Sequence, residues 1–121
     1  MSGGRYAFCA MYVRDTSAEH AQSLLAQLLD AEVKRRTLYL PALSMDVRTN
    51  PDIDTQAGDD FVRWPVLIEA EAEDPSSPNP MVDVISRILN ALWDSGHPAV
   101  AACDFEDELP WAGGIKRLPQ S

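Results

Sequence analysis

An acidic and aromatic run near the C-terminus is the part of the chain whose residues are best suited to chemistry or binding. It comprises Asp104, Phe105, Glu106, Asp107, Glu108 and Trp111. Aromatic side chains often supply most of the binding energy of a protein interface, and surrounding charges accelerate the encounter. The run therefore predicts a binding patch for a basic protein partner. Two other interpretations are a solvated strand end and, less favoured, a pair of catalytic carboxylates.

A second group of carboxylates follows one predicted strand. Glu69, Glu71 and Glu73 alternate with apolar residues, so a period of two places all three on one face. Three neighbouring carboxylates repel one another unless a cation such as Arg48 or Arg63 offsets them. The stripe is either solvent-facing surface or a docking face for a basic partner, a cation or an amine.

The loop Asn50–Asp60 has the acidic composition of a calcium-binding loop. A calcium-loop register that starts at Asp52 puts Ala57 where glycine must form the turn. The same register puts Arg63 where a bidentate glutamate belongs. The loop therefore predicts a solvated hairpin tip, and we expect no metal site.

Two cysteines lie on the first and last predicted strands. Cys9 and Cys103 have no CxxC spacing and are too few for a disulfide framework. Neighbouring strands would permit a Cys–His site or a bridge, but a strand cysteine is more often a small buried hydrophobe. His97 precedes the last strand and so lies at its opposite end, which disfavours a Cys–His nucleophile. We expect no catalytic residue and no cofactor.

Apolar periodicity predicts the elements that position these residues. Tyr6–Val13 is apolar on both faces, as in a central strand, and a helix over Ser17–Ala31 follows a capping box at Thr16–Glu19. Thr37–Arg48 predicts an edge strand because Pro41 cannot donate to a ladder. Phe61–Glu73 predicts the next strand.

The second half continues with a helix and a strand. Asn79 and Pro80 predict the start of a second helix, and Gly96 with Pro98 predicts its end. The last strand is short, beginning at Ala99.

The order strand, helix, strand, strand, helix, strand predicts an α+β fold of ferredoxin-like βαββαβ topology. We expect a four-stranded antiparallel sheet with both helices on one face and the glutamate stripe on the open face. The first and third strands should be central. Residues 1–121 form one predicted domain, with an irregular C-terminal tail at residues 111–121.

The charge distribution limits the partners. The 121 residues carry a formal charge of −9, and the segment Asp46–Glu108 holds fifteen acids and three bases, a charge of −12. Such a surface disfavours binding to nucleic acid or to anionic membranes, because either would require a basic face on the protein. No uncharged stretch approaches the roughly 18 residues of a membrane span, and no leader peptide is evident, so we expect a cytoplasmic protein.

The stretch Ile88–Pro110, ILNALWDSGHPAVAACDFEDELP, resembles the C-terminal half of small uncharacterised bacterial proteins and, loosely, immunity proteins encoded beside secreted toxins. It covers about a fifth of the chain and assigns no functional residue. The resemblance implies an immunity-type function, and the acidic charge would suit inhibition of a basic, nuclease-type toxin.

The leading hypothesis is therefore a non-enzymatic acidic binding protein for a basic protein partner. The alternative is a ferredoxin-like module whose open sheet face binds a small molecule or a second copy in a homodimer. In that case Tyr6, Phe8 and Tyr12 would line a pocket with the glutamate stripe. Enzymatic use of Cys9 or of the carboxylates is the least favoured hypothesis.

Overall fold

Six β-strands and two α-helices form the part of the chain that the structure, a computed structural model, describes: residues 6–54, 60–73 and 79–117. The strands are β1 (Phe8–Val13), β2 (Glu32–Lys34), β3 (Thr37–Tyr39), β4 (Leu43–Thr49), β5 (Val66–Ala72) and β6 (Ala99–Ala102). The helices are α1 (Ala18–Leu29) and α2 (Asn79–Asp94). The strands form one open antiparallel sheet in the order β2-β3-β4-β5-β1-β6. The predicted α+β class is confirmed.

The predicted number of four strands is wrong. The segment Thr37–Arg48 does not form one strand: the chain reverses between β3 and β4, where the Leu40 amide donates to the Leu43 carbonyl at 2.9 Å. Pro41 lies in this turn, so it removes no donor from the ladder. A short hairpin of β2 and β3 adds to the outer side of β4, which is therefore not an edge strand. The predicted central positions of the first and third strands, now β1 and β5, are confirmed.

One face of the sheet carries the main hydrophobic core. Alternate residues of β1, namely Cys9, Met11 and Val13, are fully buried on this face. Side chains from both helices belong to the same buried cluster, so α1 and α2 pack on the same side of the sheet. The residues that these two helices contribute to the buried cluster are Ala21, Leu25, Met81, Ile85, Ile88, Leu89 and Leu92. Neither α1 nor α2 packs on the other face.

Helix α1 is capped one residue later than its sequence suggests. Ser17, not Thr16, is the N-cap, and its side chain accepts the backbone N–H of His20 at 3.2 Å. The predicted capping box between Thr16 and Glu19 is therefore wrong, because the third helical residue after Ser17 is His20 and not a glutamate or glutamine. At the other end Asp30 adopts a left-handed conformation with a φ of 51° and closes the helix after Leu29.

Helix α2 ends where the glycine and proline predict. Gly96 has a φ of +85°, and its amide donates to the Trp93 carbonyl at 3.0 Å. The His97 amide donates to the Leu92 carbonyl at 2.9 Å. These paired bonds form a Schellman motif, in which glycine accepts the left-handed position at little cost.

After β6 the chain forms a short 3₁₀ turn, Glu106–Glu108, and then a kinked segment, Pro110–Arg117. The four residues from Trp111 to Gly114 all have positive φ values, 56°, 52°, 80° and 102°. This left-handed turn brings Gly113 and Gly114 against the backbone of β6, at Ala101 and Ala99. The tail therefore lies along the edge strand. Residues 118–121 of the predicted tail lie outside the described residues.

The start of the predicted hairpin tip, Asn50–Asp60, has a structural role. Asn50 is 2% exposed, and its side-chain amide donates to the carbonyls of Val62 and Trp64, each at 2.8 Å. Its side-chain oxygen accepts the Asp52 amide at 2.9 Å. These bonds hold the entry to β5. Residues 55–59 of the loop lie outside the described residues.

Candidate binding surface on the open sheet face

Five side chains form a row straight across the open face of the sheet. The strand registers connect, in order, Glu32, Tyr39, Ser44, Glu71 and Phe8. Residues that pair directly in an antiparallel sheet point to the same face, so these five side chains share the surface. Neighbouring strands lie about 4.8 Å apart, so the four spacings give a length of about 19 Å. We refer to these five residues as the acidic row.

The acidic row combines exposed aromatic rings with carboxylates. Phe8 is 45% exposed and Tyr39 is 46% exposed, and both Glu32 and Glu71 are exposed beside them. Carboxylates attract cations through their charge, and aromatic faces attract them through the ring quadrupole. The row therefore has the chemistry to hold guanidinium or ammonium groups.

The predicted glutamate stripe is divided among three environments. Glu71 belongs to the acidic row, whereas Glu69 forms a salt bridge with Arg48, with Nη2 and Oε1 2.6 Å apart. Arg48 is thus one of the two cations expected to offset the stripe, while Arg63 instead lies 3.4 Å from Asp60. Glu73 is exposed just beyond the end of β5.

The opposite end of the open face is covered by the chain itself. The Tyr12 ring lies 5.7 Å from that of Phe61, which in turn lies 6.4 Å from Trp64. Trp64 is only 2% exposed, and the Arg14 guanidinium stands 5.7 Å from its ring. Trp64 therefore packs with this aromatic cluster. Tyr12 is engaged there, four residues along β1 from Phe8.

Phe105 is not a surface residue. It is fully buried in the main core, and its ring lies 5.5 Å from that of Tyr6. Leu109 is 5% exposed and joins the same core. Between them, Glu106 turns inward, where its Oε2 accepts the backbone N–H of Cys103 at 3.0 Å. The predicted partner-binding patch therefore loses its central aromatic to the core.

The exposed acids of the run adjoin the acidic row. Asp104 is exposed two residues after Ala102, which pairs with Ala10, and Phe8 lies two residues before Ala10. Asp104, in the turn that follows β6, therefore lies at the same end of the sheet as Phe8. Two acidic features that are distant in sequence converge there.

The last two acids of the run lie at the same end of the sheet. Asp107 and Glu108 are exposed, and the Tyr6 hydroxyl donates to Glu108 Oε2 at 2.6 Å. Tyr6 precedes Phe8 by two residues, so this bond fastens the acidic run to the start of β1.

Trp111 points away from this end. Its ring is 55% exposed and lies 5.6 Å from the Arg117 guanidinium, which also stacks at 4.7 Å over Trp93 on α2. Arg117 thus lies against two indole rings in a cation–π arrangement. The structure separates Trp111 from the acidic residues with which the sequence groups it.

Sequence reasoning missed Tyr39 and Glu32 as surface residues. Both lie on three-residue strands, which are too short to show a periodicity. Exposed Tyr39 beside exposed Glu32 is recognisable only once the β2–β3 register is known.

Comparisons with protein-family models, with curated proteins and with solved structures find no relative of this chain. No known family matches it. Among residues 6–54, 60–73 and 79–117, no cluster of three or more His, Cys, Asp or Glu side chains is arranged to hold a metal ion. Within the same ranges, no helix combines the length and the apolar character needed to cross a membrane. The function must therefore be inferred from the geometry.

The two cysteines lie on neighbouring stretches of chain, as the predicted strand order implies, and the structure also places them opposite each other, which the sequence leaves open. Ala10 pairs with Ala102, so Cys9 faces Cys103 one step further along. The Cys9 thiol is fully buried and donates to the carbonyl oxygen of Ala10 at 3.9 Å. Hydrogen bonding between the two thiols, together with burial, raises the pKa of Cys9. The same hydrogen bond, helped by the Phe105 backbone, lowers the pKa of the half-buried Cys103 despite its partial burial.

We therefore expect iodoacetamide to modify Cys103 and to spare Cys9 in the folded protein. The alkylation rate follows the thiolate fraction, so its pH midpoint at Cys103 should lie below that of an unperturbed cysteine. Peptide mass spectrometry after timed alkylation at several pH values measures this midpoint. The Cys9→Ala variant removes the donor and should raise the midpoint, whereas Cys9→Ser keeps a donor and should change it less. An unchanged midpoint in Cys9→Ala would contradict the assignment of the donor.

Proposed function

We propose that this protein is a non-enzymatic acidic binding protein, and that its acidic row with the adjoining Asp104 receives a basic segment of a protein partner. The observation that carries the proposal is the exposure of Phe8 and Tyr39 between carboxylates at one end of the open face. Exposed aromatics within a charged rim are typical of energetic centres in interfaces.

The row suits a ligand of defined shape. A length of about 19 Å matches about six residues of extended chain. Arginine and lysine side chains of such a segment would alternate between the carboxylates of Glu32, Glu71 and Asp104 and the faces of Phe8 and Tyr39. The net charge of −9 would steer a basic partner toward the protein before contact.

The surface is held in place before binding. Four of the five row residues lie within strands that pair on both sides, and only Glu32 lies on an edge strand. The acidic run is fastened by buried Phe105 and by the bond from Tyr6 to Glu108. A fixed surface loses little conformational entropy on binding, which favours affinity.

We also propose a finer fold class and a cellular role for this protein. The strands β4-β5-β1-β6, with α1 and α2 as crossovers on one face, are consistent with a ferredoxin-like core that the β2–β3 hairpin extends. An immunity-type inhibitor of a nuclease-type toxin in the cytoplasm is one form of the function, supported by the acidic surface and by the resemblance of Ile88–Pro110.

Removing charge from the row should weaken binding of a basic ligand. A matched pair of triple variants tests this. The row variant changes two row residues and the adjoining acid: Glu32→Gln, Glu71→Gln and Asp104→Asn. The helix variant changes three acids on α1 and α2: Glu19→Gln, Asp83→Asn and Asp94→Asn. Both remove three exposed carboxylates, so long-range attraction falls equally. We expect the row variant to weaken binding of a fluorescein-labelled hexa-arginine peptide about tenfold, measured by anisotropy at low salt, because three exposed contacts contribute about 0.5 kcal/mol each. The helix variant should weaken it about twofold at most.

The same two triple variants can be tested against a protein partner captured from the native host, with association measured at low and at high salt. The row variant should slow association and flatten its salt dependence, whereas the helix variant should change both less. Phe8→Ala should mainly increase the dissociation rate, since it removes apolar contact and leaves the charge unchanged. Equal effects of the two triple variants would show that only net charge matters and would sink the proposed site.

Self-association is the alternative use of the same surface. The exposures of Phe8 and Tyr39 favour it, because exposed aromatics often mark contacts between copies. Sedimentation velocity at several concentrations and salt levels tests it. A dimer that Phe8→Ala dissociates would replace the basic partner with a second copy, although facing carboxylates would oppose such a dimer at low salt. A small molecule that binds at the same row would instead give a saturable binding signal, while the sedimenting mass of the protein would stay that of the monomer.

A further inference from the structure

The chain holds two thiols side by side at the end of the sheet, and the proposed binding function does not use them. Cys9 lies on the helix face of β1, fully buried in the core. Cys103 follows β6 by one residue, faces Cys9 in the extended β1–β6 register and is half-buried against the same core. Both are free thiols. One thiol is protected and the other is accessible.

We propose that Cys9 and Cys103 form a reversible intramolecular disulfide when the protein meets a two-electron oxidant such as hydrogen peroxide. The proposal stands independently of the binding function. It assigns the pair as a modification site, with Cys103 as the reacting thiol and Cys9 as the resolving thiol.

The chemistry balances in two steps. The Cys103 thiolate attacks one oxygen of hydrogen peroxide, the O–O bond breaks, and with one proton the products are a Cys103 sulfenic acid and water. The Cys9 sulfur then attacks the Cys103 sulfur, the S–O bond breaks, and the departing hydroxide takes the Cys9 proton to leave as a second water. The peroxide is reduced by two electrons, and the two cysteines are oxidised to one disulfide.

The roles follow from the surroundings of each sulfur. Hydrogen bonding with the Cys9 thiol and with the Phe105 backbone lowers the pKa of Cys103, so a larger fraction of Cys103 is present as thiolate. Cys103 is also the thiol that solvent reaches. Cys9, buried with a raised pKa, reacts poorly with a dissolved oxidant, but the β1–β6 register and the shared core place it opposite the residue whose sulfur it must attack.

The backbone needs to move little for the bond to form. Directly opposed residues of an antiparallel pair have Cβ atoms about 4.5–5.5 Å apart, whereas a disulfide requires about 3.5–4.5 Å. An approach of about 1 Å therefore suffices. Cys103 can make this movement because β6 ends at Ala102, while Cys9 is held within a central strand.

Oxidation would act at the start of the acidic run. The Cys103 amide donates to Glu106 Oε2 at 3.0 Å, so a shift of Cys103 toward β1 changes this bond first. The oxidised form should then show altered amide resonances from Cys103 to Glu106 in NMR spectra.

Intact-mass and peptide mass spectrometry of the purified protein after peroxide treatment test the proposal. We expect a loss of two hydrogens, or about 2 Da, since a disulfide retains no oxygen. Trypsin cleavage after the basic residues at positions 5, 14, 87 and 116 should release the fragments 6–14 and 88–116 joined by one disulfide. Dithiothreitol should separate them and restore the original mass.

Two variants identify the roles. Cys103→Ala should resist peroxide, because only buried Cys9 remains. Cys9→Ala should retain the first reaction but lack the resolving thiol, so Cys103 should gain about 32 Da as sulfinic acid. The proposal is overturned if the wild type also gains about 32 Da at Cys103 without joining the fragments, or if the joined fragments come from two different chains.

Discussion

Replacing Phe105 with alanine should lower the free energy of unfolding by about 3–5 kcal/mol, the usual cost of removing a buried phenyl ring. Phe105 is fully buried and belongs to the main core, and the centroid of its ring lies 5.5 Å from that of the Tyr6 ring. Its loss leaves a cavity in the core, and surrounding residues usually relax only partly into such a cavity. Urea unfolding followed by fluorescence measures the change through the midpoint at constant slope.

Trp111→Ala provides the matched control for Phe105→Ala. Trp111 is also a large aromatic of the C-terminal segment, but it is 55% exposed and contacts the side chain of Arg117. Its replacement should cost about 1 kcal/mol or less, as expected of a half-exposed cation–π contact. Similar small costs for both variants would show that Phe105 is at the surface, as the sequence alone suggests.

The distinction matters for any binding experiment on the acidic run. Phe105 anchors the turn that presents Asp104 and Asp107. A loss of binding in Phe105→Ala would therefore report disorder of that turn rather than a lost contact with the partner. Variants of Phe8 and of the exposed carboxylates are the ones that test contacts directly.

The order of the long elements could be predicted from sequence because their periodicities run over many residues. β1, α1, β5 and α2 each have a continuous apolar pattern, and the burial of alternate or helically spaced residues follows it. The β2–β3 hairpin could not be predicted in this way. Each of its strands has three residues, β2 is exposed throughout, and the turn between them uses Arg35 at a φ of 60°, which its residue type does not indicate.

The candidate site was less predictable than the fold. A run of acids in sequence suggests that Phe105 shares their exposure, yet the chain turns it inward and Glu106 with it. The acidic row depends on the register of five strands at once, two of which the sequence does not reveal. Local composition predicts that the surface is acidic, but only strand pairing determines which acids lie beside Phe8 and Tyr39.

Placing a methyl group at Gly114 should have the second large effect on stability. A Cβ there would overlap the Ala99 carbonyl oxygen and lie 3.0 Å from Cζ2 of Trp93. The residue also has a φ of +102°, which disfavours an L side chain. Backbone strain of about 1–2 kcal/mol adds to about 1–3 kcal/mol of overpacking, so Gly114→Ala should cost about 2–5 kcal/mol.

Gly96→Ala separates the two causes. Gly96 has a similar positive φ of +85°, but a Cβ there would meet nothing within 4 Å. It should therefore cost only the strain, about 1–2 kcal/mol in the same urea experiment. If the tail instead lifts from β6 in Gly114→Ala, trypsin should cleave faster at Lys116 and Arg117, while Gly96→Ala keeps the wild-type rate. Equal unfolding free energies and equal cleavage rates for the two variants would contradict the close packing of the tail on the edge strand. Among the described residues β6 is the last strand of the sheet on that side, and the tail covers its outer edge, which is one of the ways in which native proteins protect edge strands.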